Sequence, residues 1–232
     1  MPNINFTKQP PIPGYEPIRP LGINLGTVYL ARHSSSGILV GLIVWPTDLE
    51  SHARDLYEPL ARLCHPNIIR VIDMGKFQAI FFCAIEYVEK TLADLLIKGA
   101  LPDERVVQFT LMIISALRHA KIHEVIPIGL TPKSILITDD NLLKLSAFDL
   151  SEKISKRSTP PSLALMAPEW LRAGVVTASE ASQIYLLGIL MYEMLTAKPP
   201  FEAKDTDATL ERVLNEMPEP LSHINPWIWK NL

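Results

Sequence analysis

Val125-Ile126-Pro127-Ile128-Gly129-Leu130-Thr131-Pro132-Lys133-Ser134-Ile135-Leu136 is the run from which the rest of the chain can be ordered. Before it lies Asp103 to His123, whose length and pattern predict a long helix. Asp103 and Glu104 suit the positive N-terminal end of that helix. After it, Ile135 to Thr138 and Leu142 to Leu145 predict a small hairpin turning at Asp139-Asp140-Asn141. Those acidic residues are read as a solvated β-turn in preference to a metal site. Ala181 to Thr196 predicts a buried helix, and Thr206 to Glu216 a surface one. A short helix is expected over Thr91 to Lys98.

Upstream of Val88 the pattern is different. Ile18 to Gly22, Thr27 to Arg32 and Ile38 to Trp45 are short β-favouring runs. Ser34-Ser35-Ser36-Gly37 forms the turn between the second and third. In Asp48 to Cys64, apolar Leu49, Ala53, Leu56, Leu60 and Leu63 recur at helical spacing. His65-Pro66-Asn67 stops that helix, because a proline disfavours helical geometry in the residue before it. Ile68 to Met74 and Ala79 to Tyr87 predict two further strands. A strand-rich front with one helix, followed by a helical back, gives an α+β plan of two lobes. The expected division is a tail over 1–13, a first lobe over 14–87 and a second over 88–232.

Bulk properties agree with a folded, soluble protein. Of the 232 residues, 48% are hydrophobic and 20% charged, enough for a sizeable core. With 22 basic and 25 acidic residues the net charge is −3, which offers no long-range attraction to nucleic acid. Cys64 and Cys83 lie in apolar surroundings and are expected to be buried free thiols, favouring a reducing cytoplasm. The polar, proline-bearing start is not a signal peptide, and no apolar run reaches the ~20 residues of a membrane span.

Four local runs now acquire a common meaning. They are the opening stretch, Leu21-Gly22-Ile23-Asn24-Leu25-Gly26-Thr27-Val28, the run Lys144-Leu145-Ser146-Ala147-Phe148-Asp149-Leu150, and Met166-Ala167-Pro168-Glu169. In this order and spacing they resemble the protein kinase family, of the Ser/Thr type. His65-Pro66-Asn67-Ile68 and Ser182 to Phe201 add to the likeness. The resemblance implies a two-lobed kinase-like fold over residues 14 to about 210, ending before the family's last helices.

The resemblance also implies where the working parts belong. Gly129 stands at the catalytic Asp position, Thr131 at the loop Lys and Ser134 at a magnesium-binding Asn. Ile43 occupies the position of the phosphate-gripping Lys, and Leu56 that of its Glu partner. Ala147 replaces the second magnesium ligand. Gly22 and Gly26 remain of the phosphate-covering loop, which is either a clamp or a plain hairpin. A vestigial adenine slot would be lined by Val28, Gly41, Ile85, Tyr87, Val88 and Leu136. Leu60, Val71, Pro127 and Phe148 fall on the family's hydrophobic spine. Gln183 stands where the family's long C-lobe helix carries an Asp that aims the catalytic loop.

Phosphoryl transfer rests on positioning and charge stabilisation. The expectation is therefore a catalytically inactive pseudokinase, acting as a scaffold or allosteric regulator of a protein partner such as an active kinase. No metal and no cofactor are expected beyond weak, metal-independent ATP binding. A nucleotide-binding switch is one alternative. A divergent Ser/Thr kinase using Asp149, Lys133 or Lys144 is another. Ser155, Ser158, Thr159 and Ser162 form either a polar loop or phosphorylation sites. Asn225-Pro226-Trp227-Ile228-Trp229 either packs on the fold or meets a partner.

Overall fold

A computed structural model describes residues 12–24, 26–127, 129–146, 163–174 and 179–224. The chain divides into two compact units, one of Met1–Cys64 with Ile69–Tyr87, the other of His65–Ile68 with Val88–Leu232. The architecture is α+β, with an antiparallel sheet in the first unit and mainly helices in the second.

The first unit holds β1 (Tyr15–Asn24), β2 (Gly26–His33), β3 (Leu39–Pro46), α1 (Glu50–Ala61), β4 (Val71–Phe77) and β5 (Ile80–Glu86). The strands pair antiparallel in the order β1-β2-β3-β5-β4. Gly37, at φ +72°, closes the turn between β2 and β3, a conformation that glycine adopts without steric cost. The register of β1 slips between Pro17 and Arg19 and again between Pro20 and Gly22. Prolines have no N–H for the ladder, so each slip begins beside one. Although β1 and β4 are opposite edges, the Tyr15 hydroxyl donates to Asp73 Oδ2 at 3.0 Å. The sheet is thus twisted enough to bring its margins together.

Alternation along the strands sorts side chains onto two faces. Tyr29, Ala31, Val40, Leu42, Val44 and Ala84 pack on one, with Ile12 and Tyr15. Ile12 is 2% exposed, so part of the expected N-terminal tail belongs to this core. Ile43, Trp45, Phe81 and Cys83 pack on the other, where Ala53 of α1 meets them. The helix buries Ala53, Leu56 and Leu60. Leu49 does not join that stripe. It lies in a short 3-10 turn before α1 and is 40% exposed. Cys83 is buried, but Cys64 is exposed just beyond the helix, against expectation.

The second unit contains β6 (Lys90–Thr91), α2 (Leu92–Leu96), α3 (Asp103–Ile122), β7 (Ile135–Ile137), β8 (Leu143–Leu145), α4 (Pro168–Ala173), α5 (Glu180–Thr196), α6 (Thr206–Asn215) and α7 (Leu221–Ile224). Thr91 caps α2 reciprocally with Asp94, satisfying two otherwise orphan N–H donors. The Ser179 hydroxyl accepts from Ser182 N–H at the start of α5. Ile68, expected in a strand beside Val71, instead forms a parallel bridge to Leu145. Asn67 explains the departure. Its Nδ2 donates to the Leu143 carbonyl at 2.8 Å and its own carbonyl accepts from Leu145 N–H at 2.9 Å.

The turn at Asp139 to Asn141 is tied by an ion pair from Lys90 to Asp139 at 2.8 Å, and Asn141 takes the left-handed conformation. No group of three or more His, Cys, Asp or Glu suited to a metal occurs among the described residues. None of their helices is long and apolar enough to cross a membrane.

Candidate functional site

The positions singled out in the sequence fall into two sets, one in each unit. In the sheet unit, cross-strand pairing gathers most of them. Val28 stands opposite Ile43, Gly41 opposite Ile85, and Val71 opposite Ile85. Val28, Val71 and Ile85 all pack on the cluster that contains Ile43. This apolar patch lies on the face that α1 covers. A Cβ on Gly41 would come within 3.1 Å of Ile85 Cγ1, so glycine here makes room for its own neighbour.

Ile43 is 4% exposed and Leu56 is 4% exposed. At these positions hydrocarbon is part of the core. A lone ionised side chain at either would be buried without a counter-charge. The cations and anions of α1 go elsewhere. Arg54 bridges Glu50 and Glu58 along the helix, and Lys76 of β4 reaches Glu50 at 3.0 Å. These paired charges hold Glu50 below the usual carboxylate range, Lys76 contributing most.

Gly22 and Gly26 have separate structural reasons. Gly22, at φ +153°, sits in backbone space open to glycine. At Gly26 a Cβ would lie 2.6 Å from Trp45 Nε1 and 2.7 Å from the Val44 carbonyl. The requirement comes from the neighbouring strand, and it accounts for the glycine without any phosphate. Asn24 pairs directly with Gly26 in the ladder, so the β1–β2 connection is a tight hairpin.

In the helical unit the loop after α3 keeps a closed shape through hydroxyl groups. The Ser134 hydroxyl donates to the Gly129 carbonyl at 2.6 Å and accepts from Thr131 N–H at 3.0 Å. Ser134 N–H in turn donates to Thr131 Oγ1 at 3.3 Å. Ser146, just after β8, ties the loop to that strand, its N–H and hydroxyl both donating to the Ser134 carbonyl. Leu130, Pro132 and Ile135 are buried beneath, while Lys133 is exposed.

Two further side chains in α4 and α5 make specific contacts. Gln183 is not idle: its Nε2 donates to the Pro127 carbonyl at 3.3 Å, so α5 does hold the loop. Glu169 receives the Ser182 hydroxyl at 2.6 Å. Sequence reasoning missed Asn67 and Ser146 as supports of this region, because a polar residue's distant carbonyl partner leaves no local signal. Tyr87 closes the first unit and Val88 opens the second, both half-buried, and Leu136 lies in β7, also half-buried. Among the spine positions, Leu60 and Pro127 are buried and Val71 half-buried. Ala147, Phe148 and Asp149 lie outside the described residues. So do Ser155, Ser158, Thr159, Ser162 and the tryptophan-bearing stretch from Asn225.

Ser134 Oγ is engaged by Gly129 and Thr131, and hard divalent cations are bound through carboxylates, which that loop lacks.

The fold and these motif positions meet in one family. The model of the protein kinase domain matches residues 15–230, and the chain belongs to the protein kinase family. It is 31% identical over 150 residues to the serine/threonine-protein kinase PrkC of Bacillus subtilis, covering 61% of this chain and 23% of that protein. It is 27% identical over 175 residues to the probable serine/threonine-protein kinase PknB of Lactococcus lactis, covering 72% and 28%. Over 237 residues it is 25% identical to the carbon catabolite-derepressing protein kinase of Candida tropicalis, covering 97% and 38%. The chain therefore spans between 23% and 38% of the length of these relatives.

These findings correct two expectations, the inactive pseudokinase scaffold and the absence of enzymatic activity. The matched family model is that of a kinase domain, and the relatives bear the names of Ser/Thr kinases. The physical reason lies in the reaction. Phosphoryl transfer depends on where charge and reactants are held, not on which side chain holds them. A replaced motif residue is no measure of the charge that the rest of the site supplies.

Proposed function

We propose that this chain is a divergent Ser/Thr protein kinase domain, transferring the terminal phosphoryl group of ATP to a serine or threonine hydroxyl of a protein. The observation that carries the proposal is the kinase-domain match over residues 15–230. The closed loop around Gly129, Thr131 and Ser134, held by α5 through Gln183, supports it as a preserved platform for the acceptor. The apolar patch of Val28, Gly41 and Ile85 offers hydrocarbon to an adenine ring. In the helical unit, the charged residues nearest in sequence to Ser134 and Ala147 are Lys133, exposed on the loop, and Asp149. On this reading Lys133 supplies positive charge for the phosphates and Asp149 accepts the proton of the attacking hydroxyl. The loop holds the acceptor in place, which lowers the entropic part of the barrier.

The test is transfer of radiolabelled phosphate from ATP to a mixed Ser/Thr peptide pool, with magnesium and separately with manganese. Incorporation is expected, with Asp149→Ala reducing it about a hundredfold or more, as for loss of a general base. Lys133→Ala should reduce it less. Incorporation no higher than in a boiled sample, or unchanged by Asp149→Ala, overturns the proposal.

A further inference from the structure

The outward face of α3 is not that of an ordinary surface helix. A helix at a protein surface buries one apolar stripe and turns polar residues outward. α3 buries Val106, Phe109, Ile113, Ala116 and Ala120, yet on other positions Leu111 is 62%, Ile114 38% and Ile122 76% exposed. These three line a groove of about 360 Å³ whose remaining walls are His65, Ser115, Arg118 and His119. No acidic side chain is among its lining residues.

The polar side of the groove is organised. His65 Nδ1 accepts from Asn67 N–H at 3.1 Å, which leaves the ring proton on Nε2, facing Ser115 Oγ at 3.0 Å. Burial, then the neighbouring His119 and Lys144, hold His65 below the usual imidazole range, so it serves as a neutral donor. His119 stacks between His65 and His123, with ring centroids 5.1 and 4.6 Å apart. Its Nε2 is buried and has no hydrogen-bond partner among the described residues. Arg118 adds a guanidinium, whose planar fork suits a carboxylate.

We infer that this α3 groove docks an amphipathic helix of a protein partner, seating its aliphatic residues on Leu111, Ile114 and Ile122 and a carboxylate on Arg118. The charge of the groove decides the occupant. The Arg118 guanidinium, with no acid among the lining residues, selects an acidic segment, and exposed branched aliphatics at helical spacing select a helix that carries its own. The inference is independent of the catalytic proposal, and its test reads binding rather than phosphotransfer.

The probe is a short fluorescein-labelled helical peptide with leucines on one face flanked by glutamates, titrated against the full chain by anisotropy. A second peptide replaces every glutamate by lysine. The glutamate peptide is expected to bind, and the lysine peptide to bind at least about tenfold more weakly. Arg118→Glu should invert that order, and Ile122→Ser should weaken the glutamate peptide about tenfold. Both side chains are exposed, and unchanged thermal melting of each variant shows that it folds. Equal binding of the two peptides, no binding of either at about 1 mM, or indifference to Arg118→Glu overturns the inference. So does self-association of the chain that Ile122→Ser abolishes, which would make a second copy the occupant.

Discussion

The two units treat in opposite ways the positions that the family resemblance marks for charge. In the sheet unit, Ile43 and Leu56 stand where the family resemblance puts a Lys and a Glu, and both are buried hydrocarbon. In the helical unit, Thr131 and Ser134 stand at a Lys and an Asn position, and both remain polar, closing the loop through hydrogen bonds. The difference reflects environment. Between a sheet and a helix a lone charge would lose its water and have no partner, and hydrocarbon at both positions avoids that cost. In a half-buried loop a hydroxyl still satisfies backbone groups that would otherwise be orphaned.

The strongest way to break this comparison is to restore charge in the sheet unit. Ile43→Lys should destabilise the chain by about 3–5 kcal/mol, the usual cost of an uncompensated buried charge, read by urea unfolding. Adding Leu56→Glu should recover part of the loss. A coupling energy of about 0.5–3 kcal/mol in the double-mutant cycle would place the two side chains face to face. Strict additivity would separate them.

The loop should respond more gently. Ser134→Ala removes one donor and one acceptor in a half-buried place, so about 1 kcal/mol should be lost in the same measurement. If Ser134→Ala cost as much as Ile43→Lys, the contrast between the units would collapse.

Glu193 sharpens the comparison from a third side, because there α5 keeps a buried acid with no hydrogen-bond partner for its Oε2 among the described residues. Its Oε2 is buried and unpartnered, and burial followed by the charge of Glu202 pushes its carboxyl up to about 7. The folded state thus holds a proton that the unfolded chain releases near pH 4 to 5, the usual Glu range. Stability from this group is full at low pH and declines as pH rises towards 7. Glu193→Gln cannot titrate. Its melting temperature relative to the parent should therefore be higher at pH 8 than at pH 5. A difference independent of pH would show that Glu193 contributes no such linkage.

Particular residues show how much could be read in advance. The strands, α1, α3, α5 and α6 announce themselves by alternation or helical spacing, and the structure places each within a few residues of its expected span. Leu49 fitted the helical spacing yet fell outside α1, because periodicity alone does not fix where a helix begins. Gly26 carried a motif's signature, but its reason is the Trp45 indole on another strand. The inactive reading failed for a related cause: it judged chemistry from residue types at motif positions, whereas kinship and the reaction's dependence on placement argue for a kinase.

By itself the sequence determined the family, through the order and spacing of its motif runs, and the order of elements, which rests on local backbone preference and on the spacing of apolar side chains. Only the tertiary structure decided that Ile68 bridges Leu145, that Gln183 grips the Pro127 carbonyl, and that Cys64 is exposed while Cys83 is buried. It alone left Leu111 and Ile122 uncovered beside Arg118. Each of these depends on a partner far away in the chain, and the energy of such a contact exists only once folding has brought the two groups together.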